Sequence, residues 1–484
     1  MDRVRWTARI AFGLGSYAEG LKNGAFLFFV LFYYNQVLGL PASVAGLALA
    51  AALVVDAVTD PLVGSISDHF RSSWGRRHPF MYASALPYAV VFYLLFVPPA
   101  GLSPTGLFVW LLTFAVATRV TLTIYSVPHM TLAAELSQDY DERTTLASVR
   151  SLLSIGGIGS ATLGGFALFF ADDRQLDATA YPPFALTLAI LMVVTIVYSA
   201  VGTHSYIPRL MGPSARGEGF SLRGLASELW ATLSIRPFRR LLAAMVTYAA
   251  VNGLSSALST YVLTFFFRLE GLTLGMQLSI GIGGGVAGAA IASPLAARIG
   301  NKRNTMMLGL LWYSVFTGSI VTLRLLGWAP ANGDPLLLPL LLSTAFVGGS
   351  GIGVVSVLTT SMIADVTDEH ERIHRARQEG IYYSTVSFIN KVTTGLGTVL
   401  AGVAIDLVGL DPSVLPDEVS SAALWGLGFV YGPVASLLML VPVALVFPYD
   451  IDRARHRDIL DEIAASKGAR GGEPPSGGAA SADH

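Results

Sequence analysis

Long apolar segments dominate this 484-residue chain and constrain its fold more than any other feature. A segment that crosses a membrane needs about 20 mainly apolar residues, and it must be a helix because its backbone groups find no water to bond. Only 13% of the residues are charged, too few to cover a soluble protein of this size. We therefore expect an all-α polytopic membrane protein with twelve transmembrane helices in two six-helix bundles. The segments lie near residues 8–37, 41–67, 79–99, 105–136, 145–170, 182–205, 238–267, 274–299, 303–326, 335–365, 378–408 and 421–448.

Basic residues are distributed unevenly between the two sides of the expected membrane. Cytoplasmic loops carry the excess of lysine and arginine in membrane proteins, and here the excess falls on the side that holds both termini. We therefore predict a multi-pass protein of the cell (inner) membrane with both termini in the cytoplasm. The start, MDRVRWTARIAFGLG, runs directly into the first apolar segment, so no cleavable signal peptide is expected.

The chain is predicted to have four parts. Residues 1–205 form the first bundle, 206–237 a cytoplasmic loop with a short amphipathic helix, 238–448 the second bundle, and 449–484 a mostly disordered cytoplasmic tail. A weak internal echo suggests duplication, because AELSQDYDERTTL after the fourth segment resembles ADVTDEHERIHRA after the tenth. Repeated six-span halves with a substrate site between them are a known plan of transporters.

Two carboxylates lie deep within the second apolar segment. Asp56 and Asp60 are four residues apart, so both side chains project from one face of a helix. Adjacent carboxylates in a low-dielectric region repel each other unless one is protonated or a cation lies between them. Na⁺ would find suitable oxygen ligands in two carboxylates and a hydroxyl. The other interpretation is a pair of salt bridges, for example to Lys391 and Lys22, that only fix helix packing.

A basic motif follows the same segment. GSISDHFRSSWGRRHP contains Asp68, which we expect to pair with arginines of the other half and to latch one conformation. The simpler interpretation is a positively charged anchor at the cytoplasmic surface. The predicted cytoplasmic gate comprises Asp68, Arg71, Arg76, Arg77, Glu135, Arg143, Asp365 and Arg372.

Several classes of function are disfavoured. The net charge of −1 gives no electrostatic basis for nucleic-acid binding, and the absence of cysteine excludes thiolate metal sites. The glycine-rich run GIGGGVAG follows no strand and lacks Lys-Ser/Thr, so we interpret it as a surface for close helix packing rather than a phosphate loop. Without a nucleophile–base motif, metal cluster or nucleotide loop, we expect no enzyme. We also expect no cofactor beyond a coupling ion, and a monomer in the bilayer.

Four stretches resemble one known family. FGLGSYAEGLKNG, DAVTDPLVGSISDHFRSSWGRRHPF, TIYSVPHMTLAAELSQDYDERT and ADVTDEHERIHRARQEGIYYSTVSFINK are similar to segments of the glycoside–pentoside–hexuronide:cation symporters, the melibiose-permease-like branch of the major facilitator superfamily. The resemblance covers both halves of the chain. It implies the major facilitator fold and cation-coupled uptake of a small solute by alternating access.

The resemblance also implies roles for individual residues. Asp56 and Asp60 match the two carboxylates of the family's cation site, and Thr123 matches a hydroxyl of its Na⁺ site. Lys391 matches a lysine near these acids. Arg150 matches an arginine near the family's substrate cavity. The full set of predicted substrate residues is Glu19, Gly20, Lys22, Tyr125, Ser126 and Arg150.

The galactoside-binding residues of the melibiose-permease branch are not matched. Gly20 and Ser126 stand where that branch has aspartates that hold the sugar, and Met130 stands in place of a tryptophan that packs on galactose. We therefore expect a Na⁺- or H⁺-coupled symporter of a small sugar-like, glycoside or uronide solute, but not galactoside recognition of that kind. The second expectation is a lysolipid-like or other amphipathic substrate, and a drug/proton antiporter is also possible.

Overall fold

A computed structural model describes residues 4–137, 139–171, 174–209, 236–374, 379–412 and 414–471. Twelve long helices run through these residues, and all regular elements among them are helical. Eleven of the twelve are long and apolar enough to cross a membrane. The remaining one is the first helix, which carries Glu19 and Lys22 within its length. The predicted all-α, twelve-helix polytopic fold is confirmed.

The first half of the chain contributes helices α1 to α6. They are α1 Trp6–Ala25, continued by π-helical Phe26–Val30 and Tyr33–Val37; α2 Ala42–His69; α3 His78–Leu95; α4 Pro104–Leu136; α5 Tyr140–Gly159, continued by Ser160–Gly164 and Gly165–Leu168; and α6 Tyr181–His204.

The second half contributes α7 to α12 and a helix in the tail. They are α7 Arg236–Tyr261, continued by π-helical Val262–Phe266; α8 Gly271–Ile299; α9 Lys302–Leu325; α10 Leu337–His374; α11 Glu379–Leu407; α12 Ser421–Phe429, continued by Val430–Val434, Ala435–Leu438 and Leu440–Val446; and α13 Arg453–Gly471.

Local sequence explains where several helices begin and end. The hydroxyl of Ser103 accepts the Gly106 N–H ahead of α4, and the Asp139 carboxylate accepts the Glu142 N–H at the start of α5. These side chains satisfy backbone donors that have no partner within the helix. At the end of α8, Gly300 adopts a φ of 76°, a conformation that side chains disfavour.

The helices form two bundles that meet along a seam. Within the first half α1 packs on α5 and α6, and α4 packs on α2 and α3. Within the second half α10 packs on α8 and α9, and α7 packs on α11. Between the halves, α2 lies along α11. Large apolar side chains on the outside are exposed, as a lipid-facing surface requires, among them Leu86, Ile190, Val194, Val201, Val315 and Leu437.

Glycines set the closest helix approach in the second half. A Cβ added at Gly288 would lie 1.8 Å from the Ser350 carbonyl oxygen, and one at Gly284 would lie 2.0 Å from that of Phe346. Only a residue without a side chain fits at these positions. The packing role expected for the glycine-rich run of α8 is therefore confirmed at Gly284 and Gly288.

Two boundaries differ from the prediction, and two predicted segments lie outside the described residues. Helix α10 continues to His374 rather than ending near 365, because the polar stretch after the apolar segment extends the helix beyond it. The tail was expected to be mostly disordered, yet Arg453–Gly471 is helical. The amphipathic helix expected within 206–237 falls mainly on 210–235, outside the described residues, as does the last part of the tail, 472–484.

Candidate functional site

The two acids of α2 share partners from α4 and α11. The Lys391 ammonium lies 3.0 Å from Asp56 Oδ2 and 2.5 Å from Asp60 Oδ2. On the other side, Thr123 Oγ1 lies 3.0 Å from Oδ1 of each carboxylate. A hydroxyl has one proton, so it donates to only one carboxylate at a time. The structure thus brings together all four residues that the sequence predicted for the cation site and its charge partner.

Two further cations complete the cluster around Asp56. Arg119 Nη1 lies 3.4 Å from Asp56 Oδ2, and the buried Lys22 interacts electrostatically with Asp56 and Glu19. The ring of Phe26 lies under both cations, 5.0 Å from the Arg119 guanidinium and 5.6 Å from the Lys22 ammonium. Sequence reasoning gave Arg119 no role, although a charge within a transmembrane segment was a sufficient signal.

The charges of this cluster balance. Three acids, Asp56, Asp60 and Glu19, face three bases, Lys22, Arg119 and Lys391, so their formal charges cancel. Asp60 is the more accessible acid, since its side chain is 33% exposed and that of Asp56 is 11% exposed. An added cation would leave an uncompensated positive charge in a low-dielectric region unless one of the bases moved away. Lys391 is the partner that belongs to the other half of the molecule.

Gly20 and Tyr125, two of the predicted substrate residues, are packing residues of the first bundle. A Cβ at Gly20 would lie 2.0 Å from the Ser154 carbonyl oxygen of α5, so α1 and α5 touch there. Tyr125 is 1% exposed and stacks on His129, whose Nε2 lies 2.8 Å from the Phe12 carbonyl oxygen. Neither position leaves room for a solute.

The remaining predicted substrate residues lie in different surroundings. Glu19 and Lys22 belong to the charge cluster, and Ser126 and Arg150 are partly exposed on α4 and α5. None of the six predicted substrate residues lines a large cavity that other described residues form.

That cavity has a volume of about 510 Å³ and lies mainly in the second half. Leu27 and Phe28 of α1 and Ile155 of α5 contribute its first-half wall, while α7, α8 and α10 form most of the rest. The sequence reasoning missed it because no charged residue marks it. A signal was available in Asn252 and the serines that follow it on α7, which are polar residues within an apolar segment.

The predicted gate residues of the first half pair within that half. Glu135 Oε1 accepts hydrogen bonds from Arg76 Nη2 at 2.6 Å and Arg77 Nε at 3.1 Å, and Arg77 Nη2 lies 2.5 Å from Asp68 Oδ1. Among the described residues Asp68 therefore pairs within its own half, with Arg76 and Arg77, and not across the halves as we expected. Arg143 donates to the carbonyls of Ala134 and Ser137, and Arg71 is exposed.

The second half repeats this arrangement. Lys302, which begins α9, lies 2.7 Å from Asp365 of α10, as Arg76, just ahead of α3, contacts Glu135 of α4. Glu135 and Asp365 occupy matching positions in the two echoing sequences. Arg372 bonds Glu369 and reaches Glu462 of the tail helix, so this predicted gate residue holds α13 against the second bundle.

Further contacts between the halves lie on the side away from the termini. Thr260 donates its hydroxyl to the Phe28 carbonyl at 3.1 Å, and Tyr261 OH lies 3.1 Å from Asn35 Oδ1. Asp406 of α11 accepts the backbone N–H groups of Ala42 and Ser43 at 3.0 and 2.9 Å. The start of α2 is therefore capped by a side chain from the other half.

Replacing Asp406 with alanine is expected to loosen this closure. Loss of an N-cap destabilises the capped conformation by about 1 kcal/mol. That change corresponds to a roughly fivefold larger population of the open conformation. The chain has no cysteine, so Ala42→Cys provides a single thiol at a fully buried position of the seam. In detergent, a maleimide should label this thiol about fivefold faster with Asp406→Ala. The matched control is Asp411→Ala, at an exposed position, and equal rates in the two variants would refute the role of Asp406.

Comparison with known proteins gives a consistent result. The family model described as MFS/sugar transport protein matches residues 11–453. An uncharacterized symporter of Synechocystis sp. is 25% identical over 96% of this chain and 97% of its own length. The isoprimeverose transporter of Lactiplantibacillus pentosus is 25% identical over 95% of this chain and 92% of its own. The sphingosine-1-phosphate transporter MFSD2B of Mus musculus is 23% identical over 96% and 92%.

A solved structure shares the fold. The crystal structure of the nucleoside transporter NupG covers 91% of this chain and 98% of its own, with a TM-score of 0.57 and 14% sequence identity. At that identity the likeness concerns the architecture of the two helix bundles alone.

Proposed function

This chain belongs to the MFS/sugar transport protein family, and on that premise we propose that it is a cation-coupled symporter of a small sugar-like solute. The chain aligns with a symporter and with an isoprimeverose transporter over nearly the whole length of each protein, which supports this proposal. The carboxylate pair of α2 with its lysine from α11 is the single observation that carries it.

Competition between Lys391 and the coupling ion would link ion binding to movement. Asp56 and Asp60 would hold Na⁺ or H⁺, with Thr123 as a third oxygen ligand for Na⁺. Because the cluster is already neutral, an arriving cation favours departure of the Lys391 ammonium. That departure removes an ion pair between α2 and α11, which lie along the seam between the halves. Ion binding would thereby alter the relative stability of the two access states.

The conformation described here would be the one open to the cytoplasm. The contacts of Asp406, Thr260 and Tyr261 close the side away from the termini. On the side of the termini, the ion pairs of Asp68 and Asp365 stay within their own halves. With both termini in the cytoplasm, as the basic residues predict, closure lies outside and access inside.

Transport into proteoliposomes tests this proposal. Purified protein would be given labelled xylosides, glucosides, glucuronides or a lysophospholipid under an imposed Na⁺ or pH gradient. We expect a sugar-like solute to accumulate with the gradient of one cation. Exit of solute as cations enter would identify an antiporter instead, and transport of the lysophospholipid alone would favour an amphipathic substrate.

A further inference from the structure

The cavity of the second half differs from the cation site in its chemistry. Its lining includes amide and hydroxyl groups from Asn252, Ser255, Ser256, Gln277 and Tyr313, but no aspartate, glutamate, lysine, arginine or histidine. The volume of about 510 Å³ falls within the range of about 300–1,000 Å³ typical of small-molecule sites. The cavity is therefore large enough for a small solute and presents only uncharged hydrogen-bonding groups to it.

Two amide side chains of this lining have unused hydrogen-bonding groups. Gln277 donates from Nε2 to the Leu341 carbonyl at 3.1 Å, while its buried Oε1 has no partner among the described residues. Asn252 accepts the Tyr313 hydroxyl at 3.2 Å through Oδ1, and its NH₂ group has no hydrogen-bond partner among the described residues. A buried polar group without a partner destabilises by about 1–3 kcal/mol. Solute hydroxyls both donate and accept, so they would satisfy both amides.

Glycines shape the wall between α8 and α10. A Cβ at Gly349 would lie 2.0 Å from the Gly281 carbonyl oxygen, and one at Gly353 would lie 2.0 Å from that of Gly285. All four glycines line the cavity. Because they carry no side chains, the helices approach closely and the wall remains bare backbone beside the amide groups.

The cavity and the cation cluster are in contact through two helices. On α1, Phe26 lies against the cations of the cluster, and the next two residues, Leu27 and Phe28, line the cavity. On α7, Asn252 precedes Gly253, whose added Cβ would lie 2.9 Å from the Thr394 carbonyl oxygen of α11. Thr394 is three residues beyond Lys391. A shift of Lys391 and α11 would therefore displace α7 where it forms the cavity wall.

We propose that this second-half cavity is the solute site, with Asn252 and Gln277 as its principal hydrogen-bonding residues, and that it takes an uncharged polyhydroxylated solute in preference to an anionic one. The proposal rests on the proposed transport function. A carboxylate or phosphate placed among these groups would lose its hydration without gaining a cation. The nearby ammonium and guanidinium groups of Lys391 and Arg119 are already engaged with Asp56.

Ligand-dependent thermal stabilisation of the purified full chain tests this site. The probes are methyl xyloside, methyl glucoside, methyl glucuronide and lysophosphatidylcholine, each with and without Na⁺, since a ligand of the folded state raises its apparent stability. We expect a neutral glycoside to stabilise the wild type. Asn252→Leu and Gln277→Met should each raise the half-maximal glycoside concentration about tenfold, the equivalent of one lost hydrogen bond of about 1.4 kcal/mol.

Controls separate this site from folding and from the cation site. Thr187→Ala, at an exposed position of α6 outside the cavity, should respond to glycoside like the wild type. Retained stabilisation by the coupling cation, Na⁺ or added protons, would show that the cavity variants are folded. Ser255→Ala, a smaller change in the same lining, provides a milder variant with an effect in the same direction.

The outcomes distinguish the two proposals. If glycoside stabilises the wild type and all three cavity variants equally, the solute site lies elsewhere while the symporter proposal stands. If only the glucuronide or only the lysolipid stabilises the wild type, the uncharged solute class is wrong. If no probe and no cation stabilises the wild type, the proposed function fails and the cavity assignment with it.

Discussion

Asp60→Asn is expected to abolish cation-driven accumulation of solute while leaving the protein folded. The amide is similar in size to the carboxylate, and the side chain it replaces is one-third exposed, so packing changes little. Lys391 keeps Asp56 as a partner at 3.0 Å. The substitution removes one of the two anionic ligands that we propose for the ion. Charge-assisted contacts contribute about 1.5–3 kcal/mol, so the apparent cation affinity should fall at least tenfold.

Uptake into proteoliposomes under an imposed cation gradient provides the measurement. The matched control is Asp417→Asn, the same chemical change at an exposed acid that pairs with Arg268 on the surface. We expect normal accumulation with Asp417→Asn and none above equilibrium with Asp60→Asn. Unaltered accumulation in the Asp60 variant would remove the cation-site assignment.

Asp56→Asn should behave differently, although the sequence alone predicts the same result for both acids. The Asp56 side chain is 11% exposed and contacts both Arg119 and Lys391. Removal of one partner from a buried ion pair destabilises by about 3–5 kcal/mol, so this variant should also have a lower melting temperature in detergent. Equal melting temperatures for the two variants would contradict the asymmetry of the pair.

Gly20→Ala is expected to destabilise the first bundle without acting on solute directly. The new Cβ would lie 2.0 Å from a backbone carbonyl oxygen of α5, which cannot move aside as a side chain can. Overpacking of this kind contributes about 1–3 kcal/mol of destabilisation, or more. The melting temperature should fall, while the fraction that remains folded should bind solute with unchanged affinity.

Gly156→Ala is the matched control. This glycine lies on α5 two residues beyond Ser154, and a Cβ built there meets nothing within 4 Å. Alanine favours a helix over glycine by about 1 kcal/mol, so the control should be unchanged or slightly more stable. Weaker solute binding in a fully stable Gly20→Ala protein would contradict this packing role. It would show that Gly20 lies in the solute site, as the family resemblance implied.

Residues with strong local signals were predictable from the sequence. Apolar segments of about 20 residues or more must become helices in a bilayer, so the twelve helices could be placed within a few residues of their structural positions, except for the end of α10, which continues to His374. The i,i+4 spacing likewise placed Asp56 and Asp60 on one helix face. The matched Thr123 and Lys391 lie where the family resemblance implied, within hydrogen-bonding distance of both acids.

Predictions from motifs and from the family resemblance failed at residues that can serve either of two roles. Gly20 stands where the family resemblance implied a solute-binding position, yet here it permits α1 and α5 to touch. Asp68 was expected to pair with arginines of the other half, but it pairs with Arg76 and Arg77 of its own half. A motif states which residues are present, whereas the partner of a charge depends on which side chains the packing brings near.

The sequence by itself determined the number of helices, the class of protein and the acids that occur in pairs, because each follows from properties of a single segment in a bilayer. The tertiary structure alone decided which base balances which acid, which side of the seam is closed, and where the uncharged cavity lies. These features combine atoms from segments far apart in the chain: Lys391 is 331 residues from Asp60, and the cavity joins α1 and α5 to the second half. Hydropathy acts along the chain, but contact, charge balance and empty volume depend on how the helices are packed.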